Sequence, residues 1–451
     1  MQNKIEKQPI PEDKGGVAYI LMVLFGIAAL LPWNAILTSL DFFEKKMPTY
    51  QPSSVFGFAV NGLLVFTSVA NMIYGHKFSY VLRISGGYLG IASLMVILPL
   101  ATNALEAGNA FAVDISILTI FGVFGGIVQS STFALGGMLP GKYMGAIMLG
   151  NGLSGISLNI CRAITLAAIP DDYYMGALIY FILASLILIF CAFAHWKFQQ
   201  LEFVKYYIKL ANDEKNKTQR RISGVHGSAL ISEDAEINKS GNYLPTTDRG
   251  SQLLQVKEVK EISPLRAFFS MMFTAFKLSY TFLLSIVCVF FVTFVIFPAV
   301  ICDTNIYFLH FIQNTDLRIG WTMLMFIFAF NLFDTIGRWL AGQSFGGLPD
   351  KVVLVMTYSR FIFIATTFLV DQNVGPAWLT GSDWFKLVNM ALFAFTNGYC
   401  STQCAIKAPS RALEDSKEVV GIFIGISITS GIVMGSLLAL FTKGLVHGNP
   451  K

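Results

Sequence analysis

Two oppositely charged residues, Asp334 and Arg338, stand one helical turn apart within an otherwise apolar stretch, residues 321–341. At a spacing of four residues, a carboxylate and a guanidinium lie on one face of a helix and can interact. An ionised side chain in such a stretch is energetically costly and usually faces a polar cavity or a partner. We therefore favour a substrate-binding site at these two residues. The alternative is a structural ion pair that locks two helices together.

Other polar or aromatic side chains occur singly in different apolar stretches, as a central cavity between two helix bundles requires. Pro32 bends the first stretch, so that Trp33 can turn into a cavity and Asn34 can bond the loosened backbone. The Trp33 indole offers a stacking surface for a planar ring, or else an interfacial anchor. Gln129 can both donate and accept, which suits the edge of a nucleobase or a bond between helices. Three roles remain open for Arg162: facing the cavity, pairing with an acid, or extending outward.

The composition is that of a protein embedded in a membrane. Hydrophobic residues make up 54% of the chain and charged residues 13%, against roughly 25% charged in ordinary soluble domains. Stretches of about 17–25 apolar residues can cross a bilayer as helices, and the sequence holds about eleven of them. They lie near residues 17–40, 55–75, 80–103, 111–138, 143–169, 173–196, 277–300, 320–341, 351–371, 384–406 and 419–442. We therefore predict an all-α integral membrane protein.

The distribution of Lys and Arg predicts how the chain is oriented, because short cytoplasmic loops carry an excess of these residues. With the N-terminus inside, the inner segments hold Lys4, Lys7, Lys14, Lys77, Lys142, Lys351, Lys407, Arg411 and Lys417. We expect a cytoplasmic N-terminal tail, residues 1–16, and an extracytoplasmic C-terminal tail, residues 443–451. The net charge of +5 requires no nucleic-acid partner, since basic loops beside the anionic lipid bilayer account for it.

One long polar segment, residues 197–266, divides the chain. It is nearly free of apolar periodicity, so we predict a mostly disordered cytoplasmic linker. The linker separates an N-terminal six-helix bundle, residues 17–196, from a C-terminal five-helix bundle, residues 267–442. Within it, Ser223 follows two arginines, as in sites of basophilic kinases, although a solvated run of charge is the alternative.

The sequence contains no pattern that predicts catalysis. It has no serine elbow, no histidine cluster with metal spacing and no glycine-lysine-serine phosphate loop. We therefore expect neither an enzyme nor a bound metal or cofactor.

Six motifs, spread over nearly the whole chain, carry a family resemblance. They are Leu31-Pro32-Trp33-Asn34, Gln129 with Ser130-Ser131-Thr132-Phe133, residues 150–155, Phe297-Pro298-Ala299-Val300, residues 331–338 and residues 393–399. Together they resemble the signatures of the equilibrative nucleoside transporters, solute carrier family 29. The resemblance implies eleven helices in a fold related to the major facilitator superfamily, with six and five helices rocking about a central site.

The same resemblance implies roles for the polar residues. Trp33 and Gln129 would contact the base by stacking and by hydrogen bonding, and Asp334 and Arg338 would hold the ribose hydroxyls. No residue of this set is expected to be catalytic.

Four further positions match the gates of the family. Leu37 and Pro298 correspond to a narrow extracellular gate, while Arg83 and Glu418 correspond to a cytoplasmic gate pair. The residues expected to line the cavity beyond the base and ribose contacts are Asn34, Arg162, Asn331 and Phe297.

The sequence thus predicts a carrier that moves nucleosides, with nucleobases as a further substrate class, by alternating access in the plasma membrane. Facilitated diffusion and proton coupling are both left open. One alternative is a polyspecific organic-cation carrier on the same fold, which would need an uncompensated acid facing the cavity. The other is a membrane receptor or scaffold that does not transport, in which the polar residues only pack helices.

Overall fold

The computed structural model describes residues 11–169, 172–222, 264–297, 307–313 and 315–446. Within these ranges, every regular element is a helix. This confirms the predicted all-α class.

The helices of the N-terminal half follow one another with short connections, and most are long enough to cross a bilayer. They are α1 (Val17–Thr38), α2 (Leu40–Lys46), α3 (Pro52–Tyr74), α4 (Gly87–Ala104, preceded by a wide turn at Val81–Gly86), α5 (Ala107–Met138), α6 (Gly141–Ala168), α7 (Tyr173–Phe198) and α8 (Glu202–Ile222).

The C-terminal half contains long helices and one span that is broken in the middle. Its helices are α9 (Pro264–Ile296), α10 (Thr315–Gly342), α11 (Asp350–Ser359), α12 (Ile362–Asp371), α13 (Ala377–Thr380), α14 (Asp383–Ser410) and α15 (Lys417–Val446). The break separates α11 from α12 at Arg360 and Phe361.

Acidic and hydroxyl side chains fix where several helices begin. The Asp13 carboxylate accepts hydrogen bonds from the backbone N–H groups of Ala18 (2.9 Å) and Tyr19 (3.2 Å) at the start of α1. Asp172 caps α7, and Ser382 caps α14. These oxygens satisfy amide groups that have no partner within the first turn of a helix.

Ten segments of the described residues are long and apolar enough to cross a membrane, with α11 and α12 counted as one span. Helix α14 has 28 residues but lies outside this set. Its second half carries Asn397, Ser401, Thr402 and Gln403, all buried. Because α14 packs against α9, α10 and α15, its polar groups face protein rather than lipid. Counting α14, the structure confirms the prediction of about eleven spans.

The two halves pack mainly within themselves and meet along four pairs of helices. In the N-terminal half, α1 packs on α6, α3 on α5 and α4 on α7; in the C-terminal half, α9 packs on α15 and α10 on α14. Between the halves, α6 contacts α10 and α14, and α15 contacts α5 and α3. The residues at this boundary are therefore placed to contact both halves at once.

Glycines allow some of these helices to touch backbone to backbone. A Cβ atom on Gly150 of α6 would lie 2.9 Å from the Cα of Gly26 on α1. Across the boundary between the halves, a Cβ on Gly137 would lie 2.5 Å from the carbonyl oxygen of Lys417. Such distances leave no room for a side chain, so these positions require glycine for close helix approach.

Two of the predicted segment boundaries need correction. The segment predicted as a mostly disordered linker begins with a helix, α8, whose Phe203, Val204 and Ala211 are buried. This amphipathic helix lies against the bundle, and burial of its apolar face accounts for its order. Helix α15 extends to Val446, four residues beyond the predicted end of the last span. Ser223 and the rest of the linker up to residue 263 lie outside the described residues.

The bundle has two ends, which we name the linker end and the far end. At the linker end, α5 finishes at Met138, α7 finishes at Phe198 and α15 begins at Lys417. The far end is the opposite one, where α1 finishes at Thr38 and α9 at Ile296.

Candidate functional site

Asp334 and Arg338 form a buried ion pair on α10. The Arg338 Nε atom donates to Asp334 Oδ2 at 2.6 Å, and each residue is only 4% exposed. The spacing of four residues places both side chains on one helix face, as predicted. Burial makes each charge dependent on the other, because an unpaired charge in such a place is costly.

The carboxylate of Asp334 has a second partner from another helix. Asn397 of α14 donates through Nδ2 to Asp334 Oδ1 at 2.7 Å. The other end of the Asn397 amide, Oδ1, lies 2.7 Å from the hydroxyl of Thr293 on α9. Both carboxylate oxygens are therefore held, and the cluster joins three helices of the C-terminal half.

Arg360 extends this cluster and was not singled out by the sequence analysis. Its side chain is fully buried at the break between α11 and α12. Nη1 donates to the carbonyl oxygen of Phe393 (2.8 Å) and to Thr396 Oγ1 (2.5 Å). Nη2 donates to Thr293 Oγ1 (2.8 Å) and, more weakly, to Asn397 Oδ1 (3.4 Å). A lone arginine inside the apolar stretch 351–371 is the signal that could have identified it.

The ion pair lies at the boundary between the halves. Arg338 Nη1 is 3.4 Å from the carbonyl oxygen of Met148 on α6, and 3.9 Å from its sulfur. Gly152 keeps this contact close, because a Cβ there would lie 3.2 Å from Arg338 Cδ. Asn331, one turn before Asp334, also faces α6, where a Cβ on Gly155 would come within 2.5 Å of its side-chain oxygen.

Gln129 forms a second polar contact across the boundary. It is buried on α5, and its Nε2 donates to Thr429 Oγ1 at 3.1 Å and to the carbonyl oxygen of Gly425 at 3.3 Å, both on α15. In this arrangement, the amide therefore bonds the two halves together, which was the alternative considered for it from sequence.

Trp33 and Asn34 lie on α1, which continues as a helix through Pro32. The Trp33 indole is half-buried and points towards α3, where a Cβ on Gly57 would lie 3.7 Å from Cη2. Asn34 donates from Nδ2 to Ser154 Oγ on α6 at 2.7 Å. Its amide thus ties α1 to α6, while the indole packs against the core and stays partly exposed.

At the far end, Phe297 belongs to an aromatic cluster and Leu37 is half-buried. The Phe297 ring stacks on Phe330 of α10, with 4.4 Å between centroids and 9° between planes. Pro298, the predicted partner of Leu37 in the far-end gate, lies outside the described residues.

At the linker end, Glu418 is held by two residues other than the predicted partner. Its Oε1 accepts from the Tyr80 hydroxyl at 2.5 Å, and its Oε2 pairs with Lys215 of α8. Arg83 is buried and stacks on Tyr80, with its guanidinium carbon 4.0 Å from the ring centroid. The structure therefore connects Arg83 to Glu418 through Tyr80, and Lys215 takes the direct ion-pair position that was expected for Arg83.

Arg162 pairs with an acid, which was one of the three roles left open for it. Its partner is Asp41 on α2, next to the far end of α1. Burial raises the pKa of the Asp41 carboxyl, and the Arg162 guanidinium opposes that shift. The pair holds α2 against α6, so Arg162 is accounted for without a ligand.

The arrangement of helices resembles that of solved sugar transporters. The proton:xylose symporter XylE of the major facilitator superfamily, bound to 6-bromo-6-deoxy-D-glucose, superimposes with a TM-score of 0.61 at 10% identity, covering 97% of this chain and 90% of that one. The E. coli fucose:proton symporter FucP gives a TM-score of 0.55 at 12% identity, covering 95% and 92%. At this level of identity, the likeness concerns the fold alone.

Sequence comparison gives the family. Equilibrative nucleoside transporter 1 of Rattus norvegicus is 25% identical over an alignment 481 residues long, which covers 97% of this chain and 99% of the relative. Equilibrative nucleotide transporter 1 of Arabidopsis thaliana is 24% identical, covering 96% and 87%. The profile of the Nucleoside transporter family matches residues 115–443, which is most of the chain and includes Gln129, Asp334, Arg338 and Glu418. The chain therefore belongs to the nucleoside transporter family.

Proposed function

We propose that this protein moves nucleosides across a membrane by alternating access, with nucleobases as a further substrate class. The observation that carries the proposal is the buried cluster of Asp334, Arg338 and Asn397, which contacts Met148 across the boundary between the halves. A solute bound there can contact both halves and so favour their exchange between two arrangements.

The chemistry of the cluster suits the hydroxyl groups of a sugar. A carboxylate accepts hydrogen bonds and a guanidinium donates them, and a hydroxyl group can do both. Bonds to such charged groups are worth roughly 1.5–3 kcal/mol each. We assign the ribose to Asp334 and Arg338 because they offer both kinds of bond in one buried place.

We assign the base to Trp33 and Gln129. The half-buried indole of Trp33 offers a ring face for stacking, and the Gln129 amide can donate and accept at a base edge. In the present arrangement, Gln129 donates to Thr429 and Gly425. A bound base would replace these bonds, so binding would loosen one connection between α5 and α15. We assign Asn34, Asn331 and Phe297 to the lining of the cavity that would hold the solute.

We place the proposed gates where the halves touch. At the linker end, Glu418 contacts Tyr80 and Lys215, and Gly137 lies against the backbone of Lys417. We propose that these contacts close the linker end and that Arg83 supports them by stacking on Tyr80. Leu37 and Pro298 would close the far end.

We further propose that the linker end faces the cytoplasm and that the protein resides in the plasma membrane. The excess of Lys and Arg in the segments at this end supports the orientation. The N-terminal tail would then be cytoplasmic, the C-terminal tail would lie outside the cell, and Ser223 would be accessible to a cytoplasmic kinase.

Among the charges described, the cluster does not favour an organic-cation carrier. Two guanidinium groups, Arg338 and Arg360, lie near a single carboxylate, Asp334. Such a site carries an excess of positive charge, which repels a cationic solute. Competition between labelled nucleoside and monoamines would expose a cation carrier directly.

The function is tested by measuring uptake of radiolabelled adenosine, uridine, inosine and hypoxanthine into a transport-deficient cell at two external pH values. Saturable uptake of nucleosides that is lost in Asp334→Asn, with the variant present at the surface, is the expected result. Equal uptake at both pH values would indicate facilitated diffusion, and higher uptake at the lower external pH would indicate proton coupling. No uptake of any of the four compounds, in cells or in reconstituted vesicles, would refute the proposal.

A further inference from the structure

Arg360 is a fully buried cation with no carboxylate in ion-pairing distance among the described residues. Its terminal nitrogens instead reach two hydroxyl groups, one backbone carbonyl and one side-chain amide, on α9 and α14. Burying a charge in this way is costly, and an apolar side chain of similar volume would often serve stability equally well. The presence of arginine here therefore calls for a reason other than packing.

The direction of the hydrogen bonds supplies that reason. A guanidinium has only donors, so Thr293 Oγ1 and Asn397 Oδ1 must act as acceptors towards Arg360. The orientation of an asparagine amide is set by the groups around it. With its oxygen turned to Arg360 and Thr293, Asn397 presents its NH2 group to Asp334 at 2.7 Å, an orientation that the acceptor-only carboxylate favours as well.

Asn397 in turn determines which oxygen of the Asp334 carboxylate pairs with Arg338. Its bond occupies Oδ1, which leaves Oδ2 for Arg338 Nε at 2.6 Å. If the amide turned over, its oxygen would face the carboxylate, and two acceptors would repel each other. The carboxylate would then lose the orientation in which it pairs with Arg338.

We propose that Arg360 is a positioning residue, which acts through Thr293 and Asn397 to orient the Asp334 carboxylate and thereby sets the preference for ribose over deoxyribose. This inference rests on the proposed function, in which Asp334 and Arg338 hold the ribose hydroxyls. Arg360 does not touch the solute. Because it sits at the break between α11 and α12, it also links the shape of that broken span to the site.

The test is the ratio of uptake efficiencies for uridine and for its 2′-deoxy and 3′-deoxy analogues, measured at equal surface amounts of protein. Arg360→Gln should lower the preference for uridine by about tenfold, the value of one hydrogen bond to a charged group. Arg360→Lys keeps the charge but replaces the five donors of a planar fork by three on one nitrogen, and should keep part of the preference. Lys386, in the first turn of α14, is another buried cation of the same half and pairs with Asp383; Lys386→Gln should leave the ratio unchanged.

A second variant tests the route through Asn397. Asn397→Ala should lower the same ratio, and adding Arg360→Gln should lower it no further, because residues that act through one contact are not additive. If Arg360→Gln does not reach the surface, Asn397→Ala and Arg360→Lys decide the matter.

A role in packing alone would reduce uptake of all three compounds equally. Wild-type ratios in the Arg360 variants, or in Asn397→Ala, would overturn this inference while leaving nucleoside transport intact. Absence of uridine uptake by the wild-type protein would instead overturn the proposed function.

Discussion

Removing charge from the Asp334–Arg338 pair separates a solute-binding role from a purely structural one. In Asp334→Asn, the new side-chain oxygen can still accept from Asn397, but the new NH2 group then faces the Nε–H donor of Arg338. The guanidinium loses its carboxylate while remaining buried, with each residue of the native pair only 4% exposed. Breaking a buried pair in this way costs about 3–5 kcal/mol, so we expect a marked loss of thermal stability.

The double variant Asp334→Asn/Arg338→Gln carries the decisive result. Removing both charges together costs far less than removing one, and such replacements are often neutral. Stability should therefore recover. Uptake should not, because each lost charge-assisted bond to a ribose hydroxyl is worth roughly 1.5–3 kcal/mol, which corresponds to about tenfold to one-hundred-fold in uptake efficiency.

The assay combines thermal unfolding of the purified protein with uridine uptake normalised to surface protein. The matched control is Glu214→Gln/Lys217→Gln, which neutralises a solvent-exposed pair of similar spacing on α8, with 2.7 Å between the charged atoms. Exposed pairs contribute about 0–1 kcal/mol, so this control should change neither reading. Recovery of uptake together with stability in the double variant at positions 334 and 338 would show that the pair only joins helices.

Three further results are expected. Trp33→Ala should raise the apparent KM for adenosine, uridine and hypoxanthine together, since stacking does not depend on the identity of the base; a loss confined to one base would contradict stacking. Lys215→Gln should open the linker end more often, which is measured as several-fold faster alkylation of a cysteine introduced by Ser416→Cys. The control Lys217→Gln, on the same helix, should leave the alkylation rate unchanged. Equal rates in both variants would show that α8 does not hold this end. Gly137→Ala should also speed that alkylation, because its methyl group would lie 2.5 Å from a backbone oxygen on α15 and prevent close approach of the halves. An alkylation rate as slow as without the substitution would contradict an end that is sealed by this contact.

The helical spans could be predicted from the sequence because each is a long run of apolar residues. The apolar signal is weaker for α14, because its polar residues Asn397, Ser401, Thr402 and Gln403 are buried against other helices. Helix α8 was missed although Phe203, Val204, Tyr207, Ile208 and Ala211 recur at helical spacing within the polar segment. What the sequence does not show is the surface of the bundle on which this face is buried. Periodicity over a short polar segment cannot reveal that surface.

The candidate site shows where sequence spacing suffices and where it does not. Asp334 and Arg338 are four residues apart, so their pairing follows from helix geometry. The partner of Arg162 is Asp41, 121 residues away in the chain, and no local pattern connects them. Similarly, Lys215 reaches Glu418 across 203 residues, whereas the family resemblance had paired Glu418 with Arg83. Arg360 could have been noticed as a charge in an apolar run, but its four partners lie on helices that only the fold brings together.

The glycine at position 137 has a mechanical consequence. Where it rests directly on the backbone of Lys417, α5 and α15 meet at the linker end without a side chain between them. Interlocked side chains must change rotamer before two packed surfaces can part, whereas smooth ones can separate as rigid plates. The time needed to part the halves would then be governed by the polar bonds of Glu418 and Gln129. A carrier built in this way could be made faster or slower by surface chemistry at a few positions, without rebuilding its core.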